Sequence, residues 1–173
     1  MQTIAVVGTK KSGKTTTTEN LIRELTKKGY KVAAIKHIPE PDFTIDTPGK
    51  DTWRYAQAGA KTVISVAANE VATIEKGTTS SVSLEKLLKK CQGNDIVFME
   101  GLKKLVASNK KILKIAVVNS KTEATNALAT FKPILAFSGT YSTENLGIQI
   151  PYANGIKNLQ KLTEMIEKTI LKK

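Results

Sequence analysis

The chain has 173 residues, long enough for one domain with a substantial core. Its 27 Lys+Arg against 15 Asp+Glu leave a net charge of +12, which favours anionic partners such as nucleotides or phosphorylated cofactors. Aromatic residues are only 5% and form no stripe interleaved with basic ones, so nucleic acid stays a minor option; the single cysteine, Cys91, excludes a disulfide framework or an all-cysteine metal site and reads as a buried helical thiol.

The N-terminus enters a strand almost at once, with no signal-peptide pattern and no apolar run near membrane-spanning length. The expectation is a cytoplasmic, soluble protein without a membrane contact. Ile4-Ala5-Val6-Val7 predicts a buried strand, and Gly8-Thr9-Lys10-Lys11-Ser12-Gly13-Lys14-Thr15 follows it directly. That spacing, G-x-x-x-x-G-K-[ST], is a phosphate-binding loop between a strand and a helix. Gly8 turns the chain out of the strand, and Gly13 lets backbone approach phosphate where a Cβ would collide. The loop's N–H groups make an anion nest, and the first helical turn, from Thr16, adds its unpaired N–H groups and positive dipole end. Lys14 supplies charge to the outer phosphates, and the Thr15 hydroxyl is suited to Mg²⁺. Gly8 through Thr16 is therefore the expected nucleotide-binding segment.

Residues 16–28 read as a helix with Leu21, Ile22 and Leu25 on its inner face, ended by Gly29. A second buried strand covers 32–35. From His37 to Gly49, Pro39, Pro41 and Pro48 exclude a helix while 42–46 alternate weakly. This predicts an excursion of hairpin character ending in Asp46-Thr47-Pro48-Gly49. A short helix over 51–58 stops at Gly59, a third strand covers 62–66, and a short fourth covers 71–74. After a polar loop over 77–83, Ser83 is placed to cap a helix bearing Leu84, Leu87, Leu88 and Cys91, closed by Gly93. Residues 96–99 form a central strand ending in Glu100-Gly101; 112–118 and 134–137 are further strands, with a helix over 122–128 between them. Residues 138–154 read as loop. Ile156, Leu159, Leu162, Ile166 and Ile170 then stripe a closing helix.

Short apolar runs alternating with helices predict an α/β fold of the P-loop NTPase kind: a mostly parallel sheet with helices on both faces, plus the hairpin-like excursion after its second strand. With no internal repeat or low-complexity linker, residues 1–173 read as a single nucleotide-binding domain. Ligands in such sheets sit beyond the carboxyl ends of the strands, where the phosphate loop, His37, Asp46 and Glu100 all fall. A triphosphate-bound Mg²⁺ needs a carboxylate, directly or through water. Glu100, at the end of its strand, is one choice; Asp46, in a literal D-x-x-G, is the other, in a segment of the kind that orders around a γ-phosphate. The catalytic set is thus Lys14, Glu100 and Asp46, with Thr15 beside the carboxylates at the metal. Lys36 and His37 after the second strand, Lys50 and Arg54 around the start of a short helix, and Lys103 behind Glu100 either contact an anion or cofactor or serve surface and structure alone. The guanine-reading tetrapeptide N-K-x-D is absent: Asn109-Lys110-Lys111-Ile112 lacks the acid, and Asn119-Ser120-Lys121-Thr122 has an extra residue before its lysine. Spacing alone leaves ATP and GTP equally open.

Taken together, these residues resemble the MobB family of GTP-binding adaptors in molybdopterin-guanine dinucleotide biosynthesis. The match comprises the loop through Thr16, then Ile35-Lys36-His37, Asp46-Thr47-Pro48-Gly49-Lys50-Asp51 with Arg54, Ala58-Gly59-Ala60, and Met99-Glu100-Gly101-Leu102-Lys103. It spans residues 1 to about 118 and is diffuse beyond. Two departures stand out: Ile38-Pro39-Glu40-Pro41 follows the K-H pair where family members often carry more histidines, and Leu102 replaces an aromatic. The resemblance implies GTP with Mg²⁺, weak hydrolysis and a homodimer built partly from the excursion. It also implies partnership with the guanylyltransferase that joins GMP to molybdopterin, and contact with a molybdopterin-type anionic cofactor. A P-loop ATPase or small-molecule phosphotransferase unrelated to molybdopterin is the competing reading. Thr9 in place of a lysine after the first glycine, and the presence of only Arg23 and Arg54 as arginines, favour the adaptor.

Overall fold

The computed structural model describes residues 1–77 and 82–171. The chain falls into two compact units, Met1–His37 with Leu87–Lys173, and Ile38–Lys86. The first holds a five-stranded sheet built from β1 (Gln2–Gly8), β2 (Val32–Lys36), β5 (Ile96–Glu100), β6 (Leu113–Val117) and β7 (Ile134–Ser138), in the order β2-β5-β1-β6-β7. Every pairing in it is parallel. Ile4 to Val7 and Ile96 to Met99 are fully buried, which is why these strands read as continuous apolar runs rather than alternating ones.

Connections in a parallel sheet cross over right-handedly. The chain leaves β1 through α1 (Lys14–Lys27) for β2 on one side, and leaves β6 through α5 (Lys121–Thr130) for β7 on the other. The two helices therefore cover opposite faces. The final helix α6 (Leu159–Ile170) packs beside α1. Leu21 and Leu25 of α1 and Leu162 and Ile166 of α6 bury completely against Ile4, Val6, Phe98 and Ile115. Each such side chain contributes about 1.5–3 kcal/mol relative to exposure. This core fixes the helix whose N-terminus faces the phosphate loop.

The second unit holds α2 (Asp51–Gln57) and an antiparallel hairpin of β3 (Thr62–Val66) and β4 (Val71–Glu75). The excursion after β2 is thus present, but its hairpin comes from these two strands. Residues 42–46 form turns and bends, because alternation over so short a proline-flanked stretch finds no strand partner. The third strand accordingly pairs outside the main sheet. Helix α3 (Leu84–Lys90) begins after Ser83, whose Oγ accepts a hydrogen bond from the Lys86 N–H at 3.2 Å. Part of the loop expected over 77–83 lies outside the described residues. Cys91 is buried just past α3, and burial raises its thiol pKa. Residues 103–106 add a short helix, α4 (Lys103–Val106), that sequence reading passes over, and a 3-10 turn (Glu144–Leu146) interrupts the long loop after β7.

Candidate phosphate and metal site

Parallel pairing sets Gly8 opposite Val117, so the loop leaves β1 hard against the neighbouring strand. A Cβ on Gly8 would lie 2.4 Å from the Val117 carbonyl oxygen and 2.7 Å from Ser12 Oγ, which excludes any side chain. Gly13 is required for another reason. It caps α1 in the left-handed region with φ of 97°, while a Cβ there would meet only Val117 Cγ1, at 3.9 Å. Within the chain it is the dihedral, not a collision, that demands glycine. Lys11 also takes a positive φ, 62°, a conformation that raises the energy of a non-glycine residue by about 1 kcal/mol and that the closed loop imposes.

Lys14 lies across the loop and donates from Nζ to the Thr9 carbonyl. Burial lowers its pKa; the Glu100 carboxylate opposes that shift, the Lys103 and Lys36 charges reinforce it, and Glu123 opposes it in turn. Three cations thus crowd one opening, and an incoming anion would relieve their mutual repulsion. Ser12 Oγ is buried and has no hydrogen-bond partner among the described residues. Lys10, Lys11 and Thr16 are exposed around it.

The strand order brings the carboxylate in. Because β5 lies between β1 and β2, Glu100 is in register with both Val6 and Lys36. Thr15 Oγ1 donates to Glu100 Oε1 at 2.8 Å, and Lys36 Nζ lies 3.1 Å from that hydroxyl and 3.3 Å from the same carboxylate oxygen. The Glu100 side chain is only 12% exposed, so this contact is more than a screened surface pair. A hydroxyl and a carboxylate are hard oxygen donors. Among the described residues no group of three or more His, Cys, Asp or Glu gathers to hold a metal. Two protein oxygens, with the remaining positions left to phosphate and water, suit Mg²⁺, which keeps much of its hydration.

The other expected residues divide. His37 is exposed at the rim, and its backbone N–H donates to the Glu100 backbone carbonyl at 2.9 Å. Lys103 opens α4 and lines a cleft of about 200 Å³ with Gly8, Thr9 and Glu123. Asp46, Lys50 and Arg54 belong to the second unit. There Asp46 Oδ1 accepts from the Thr47 N–H and Thr52 Oγ1, each at 2.9 Å, while Oδ2 is buried without a partner among the described residues. The Lys50 N–H donates to the Thr47 carbonyl at 3.2 Å, and Arg54 forms an exposed pair with Asp51 at 3.4 Å that adds little stability.

Sequence reasoning missed the flank formed by the β6–α5 turn. Glu123 accepts from Thr9 Oγ1 at 2.8 Å and from the Asn119 N–H at 2.7 Å, while Ser120 Oγ caps α5 by accepting from the Glu123 N–H. The available signal was Ser120-Lys121-Thr122-Glu123, an S-x-x-E capping box after an apolar run.

The family model of MobB, Molybdopterin guanine dinucleotide synthesis protein B, matches residues 3–138. A molybdopterin-guanine dinucleotide biosynthesis adapter protein of Haemophilus influenzae is 37% identical over 102 residues, covering 58% of this chain and 56% of the relative. A Methanocaldococcus jannaschii protein, provisionally named as such an adapter, is 37% identical over 123 residues, covering 70% of this chain and 49% of the relative. The chain spans about half the length of the curated relatives it matches. In fold, MobB of Bacillus subtilis superposes with a TM-score of 0.75 at 22% identity, and a MobB homolog from Bacillus stearothermophilus with 0.73 at 18%, each over 100% of both chains. Among the described residues no helix is long and apolar enough to cross a membrane.

Proposed function

The chain belongs to the MobB family, and from that membership we propose that it is an adapter in molybdopterin-guanine dinucleotide biosynthesis that binds GTP with Mg²⁺. The observation that carries the nucleotide site is the Thr15 hydroxyl 2.8 Å from the Glu100 carboxylate at the mouth of the phosphate loop. Lys14 exchanges the Thr9 carbonyl for the outer phosphates, and the N–H groups at the start of α1 take the inner ones. Thr15 and Glu100 hold the Mg²⁺, which when bound draws charge from the phosphate oxygens. Lys36 moves from Thr15 and Glu100 to the γ-phosphate side, where its cation offsets added negative charge.

Hydrolysis in this reading is weak and accompanies the adapter role. The partner is the guanylyltransferase that joins GMP to molybdopterin, and exposed Lys36, His37 and Lys103 beside the loop offer contacts for an anionic pterin phosphate. The working form is a cytoplasmic homodimer joined through the second unit, whose hairpin leaves Ile64, Val66 and Val71 at 60%, 77% and 66% exposure.

Calorimetric titration with GTP, ATP, GDP and ADP, with and without Mg²⁺, tests the nucleotide reading. Mg²⁺–GTP is expected to bind most tightly, and Lys14→Ala to weaken it by about tenfold or more, ~1.4 kcal/mol. Preference for ATP overturns the GTP assignment in favour of the ATPase or phosphotransferase reading. Undiminished binding by Lys14→Ala overturns the loop assignment.

A further inference from the structure

A line of hydrogen bonds leaves the phosphate loop on the side away from Glu100 and follows the carboxyl ends of β1, β6 and β7. Thr9 Oγ1 donates to one oxygen of Glu123, and the Asn119 N–H donates to the other. Asn119 Oδ1 in turn accepts from both the N–H and the Oγ1 of Thr140, at 3.2 and 2.8 Å. Next in the chain, the Tyr141 N–H donates to the Val118 carbonyl at 3.2 Å and ties the β7 turn to the β6 turn. Two donors occupy the lone pairs of Asn119 Oδ1, so the carboxamide cannot turn over without losing both. Its NH₂ group remains as an oriented donor on an exposed residue.

We propose that Asn119, oriented by Thr140, reads the base of the bound nucleotide and selects a 6-keto purine over a 6-amino purine. The proposal rests on the nucleotide reading of the loop and names its specificity residue. The flank formed by β5 and β2 carries Glu100, Lys36 and the Thr15 hydroxyl, and so takes the outer phosphates and metal. The nucleoside end therefore extends along the opposite flank, where β6 and β7 end. A guanine edge presents two acceptors, O6 and N7, to a donor there, whereas adenine presents an amino donor in place of O6. A site whose hydrogen-bonding group is held in place rejects the base that leaves it unpaired.

Asn119→Asp tests this with little structural change, since one carboxylate oxygen still accepts from Thr140 while the donor becomes an acceptor. Wild type and variant are titrated with GTP, ITP, ATP and inorganic tripolyphosphate in Mg²⁺. In wild type, ITP, which keeps O6 and N7, is expected to follow GTP; ITP grouping with ATP overturns the assignment to that edge. In Asn119→Asp the GTP-to-ATP affinity ratio is expected to fall by about tenfold or more, with tripolyphosphate binding retained. A ratio within about twofold of wild type overturns the proposal. Wild type without any preference for GTP over ATP overturns the GTP reading itself, whereas a wild-type preference that survives the substitution overturns only the role of Asn119. Thr140→Val, which removes the shorter of the two hydrogen bonds and leaves only the backbone N–H to hold the carboxamide, gives the same readout through a second position. It is expected to lower the ratio, and a preserved ratio counts against the proposal even if the aspartate variant loses tripolyphosphate binding.

Discussion

Glu100 and Asp46 are both carboxylates that follow strand-like sequence, and their surroundings now separate them. One oxygen of Asp46 is committed to Thr47 and Thr52, so it braces the entry to α2, whereas Glu100 faces the Thr15 hydroxyl. Glu100→Gln is therefore expected to reduce Mg²⁺-dependent GTP hydrolysis by about tenfold or more, and Asp46→Asn by less, in a phosphate-release assay. The reverse order would reassign the metal. Lys114 poses a different problem: it is completely buried, and Nζ donates to the Asn109 and Lys132 carbonyls at 2.6 Å each, with no acid among its partners. Burial lowers its pKa below the ordinary 10.5, and a neutral amine still has the two N–H donors those carbonyls need. Between the lowered value and 10.5, the unfolded chain holds a proton that the folded chain has released, so this group's contribution to stability rises with pH across that window and is flat below it. The stability of wild type relative to Lys114→Met is expected to increase as pH climbs through the window in urea titrations. A constant or shrinking difference would show that Lys114 is not held this way.

At the level of elements, periodicity and caps were enough wherever a helix or strand makes its own case. Leu21 and Leu25 on α1, and the Ile156-to-Ile170 stripe on α6, predicted faces that are indeed inward at Leu162 and Ile166, while Ile156 itself stands exposed before the helix begins. Helix α4 was not legible, because four residues carry no helical period and Leu102 enters it from a left-handed conformation. The hairpin was legible as strands but not as a pair, since its partner choice depends on neither strand reaching the main sheet. Because α6 packs against the helix that carries the phosphate loop, Leu162→Ala is expected to destabilise the protein by about 2–5 kcal/mol. The GTP-to-ATP preference should survive, because the substitution lies in the core rather than on the strand-end turns. A loss below 1 kcal/mol, or ~fivefold in the folding constant, would mean that α6 is peripheral.

For the molecule as a whole, the +12 charge and the exposed apolar hairpin are the features that one folded copy leaves unresolved. If the hairpin joins two copies, Val66→Lys should shift sedimentation from dimer to monomer at micromolar concentration while leaving nucleotide binding in place. A wild-type protein that sediments as a monomer would remove the dimer from the functional reading. The local pattern of the chain determined the loop motif, the positions of the main sheet's five strands and the α/β class, because glycine geometry, apolar runs and helical spacing act over a few residues; β2, which its apolar run marks as buried, is instead a partly exposed edge strand. Only the tertiary structure decided the order β2-β5-β1-β6-β7. That order places Glu100 against Thr15 and Lys36 on one flank of the loop, and Glu123, Asn119 and Thr140 on the other. The choice is not written in any segment, because parallel strands with similar apolar faces can pair in several orders, and the crossovers and buried core of the folded chain select one.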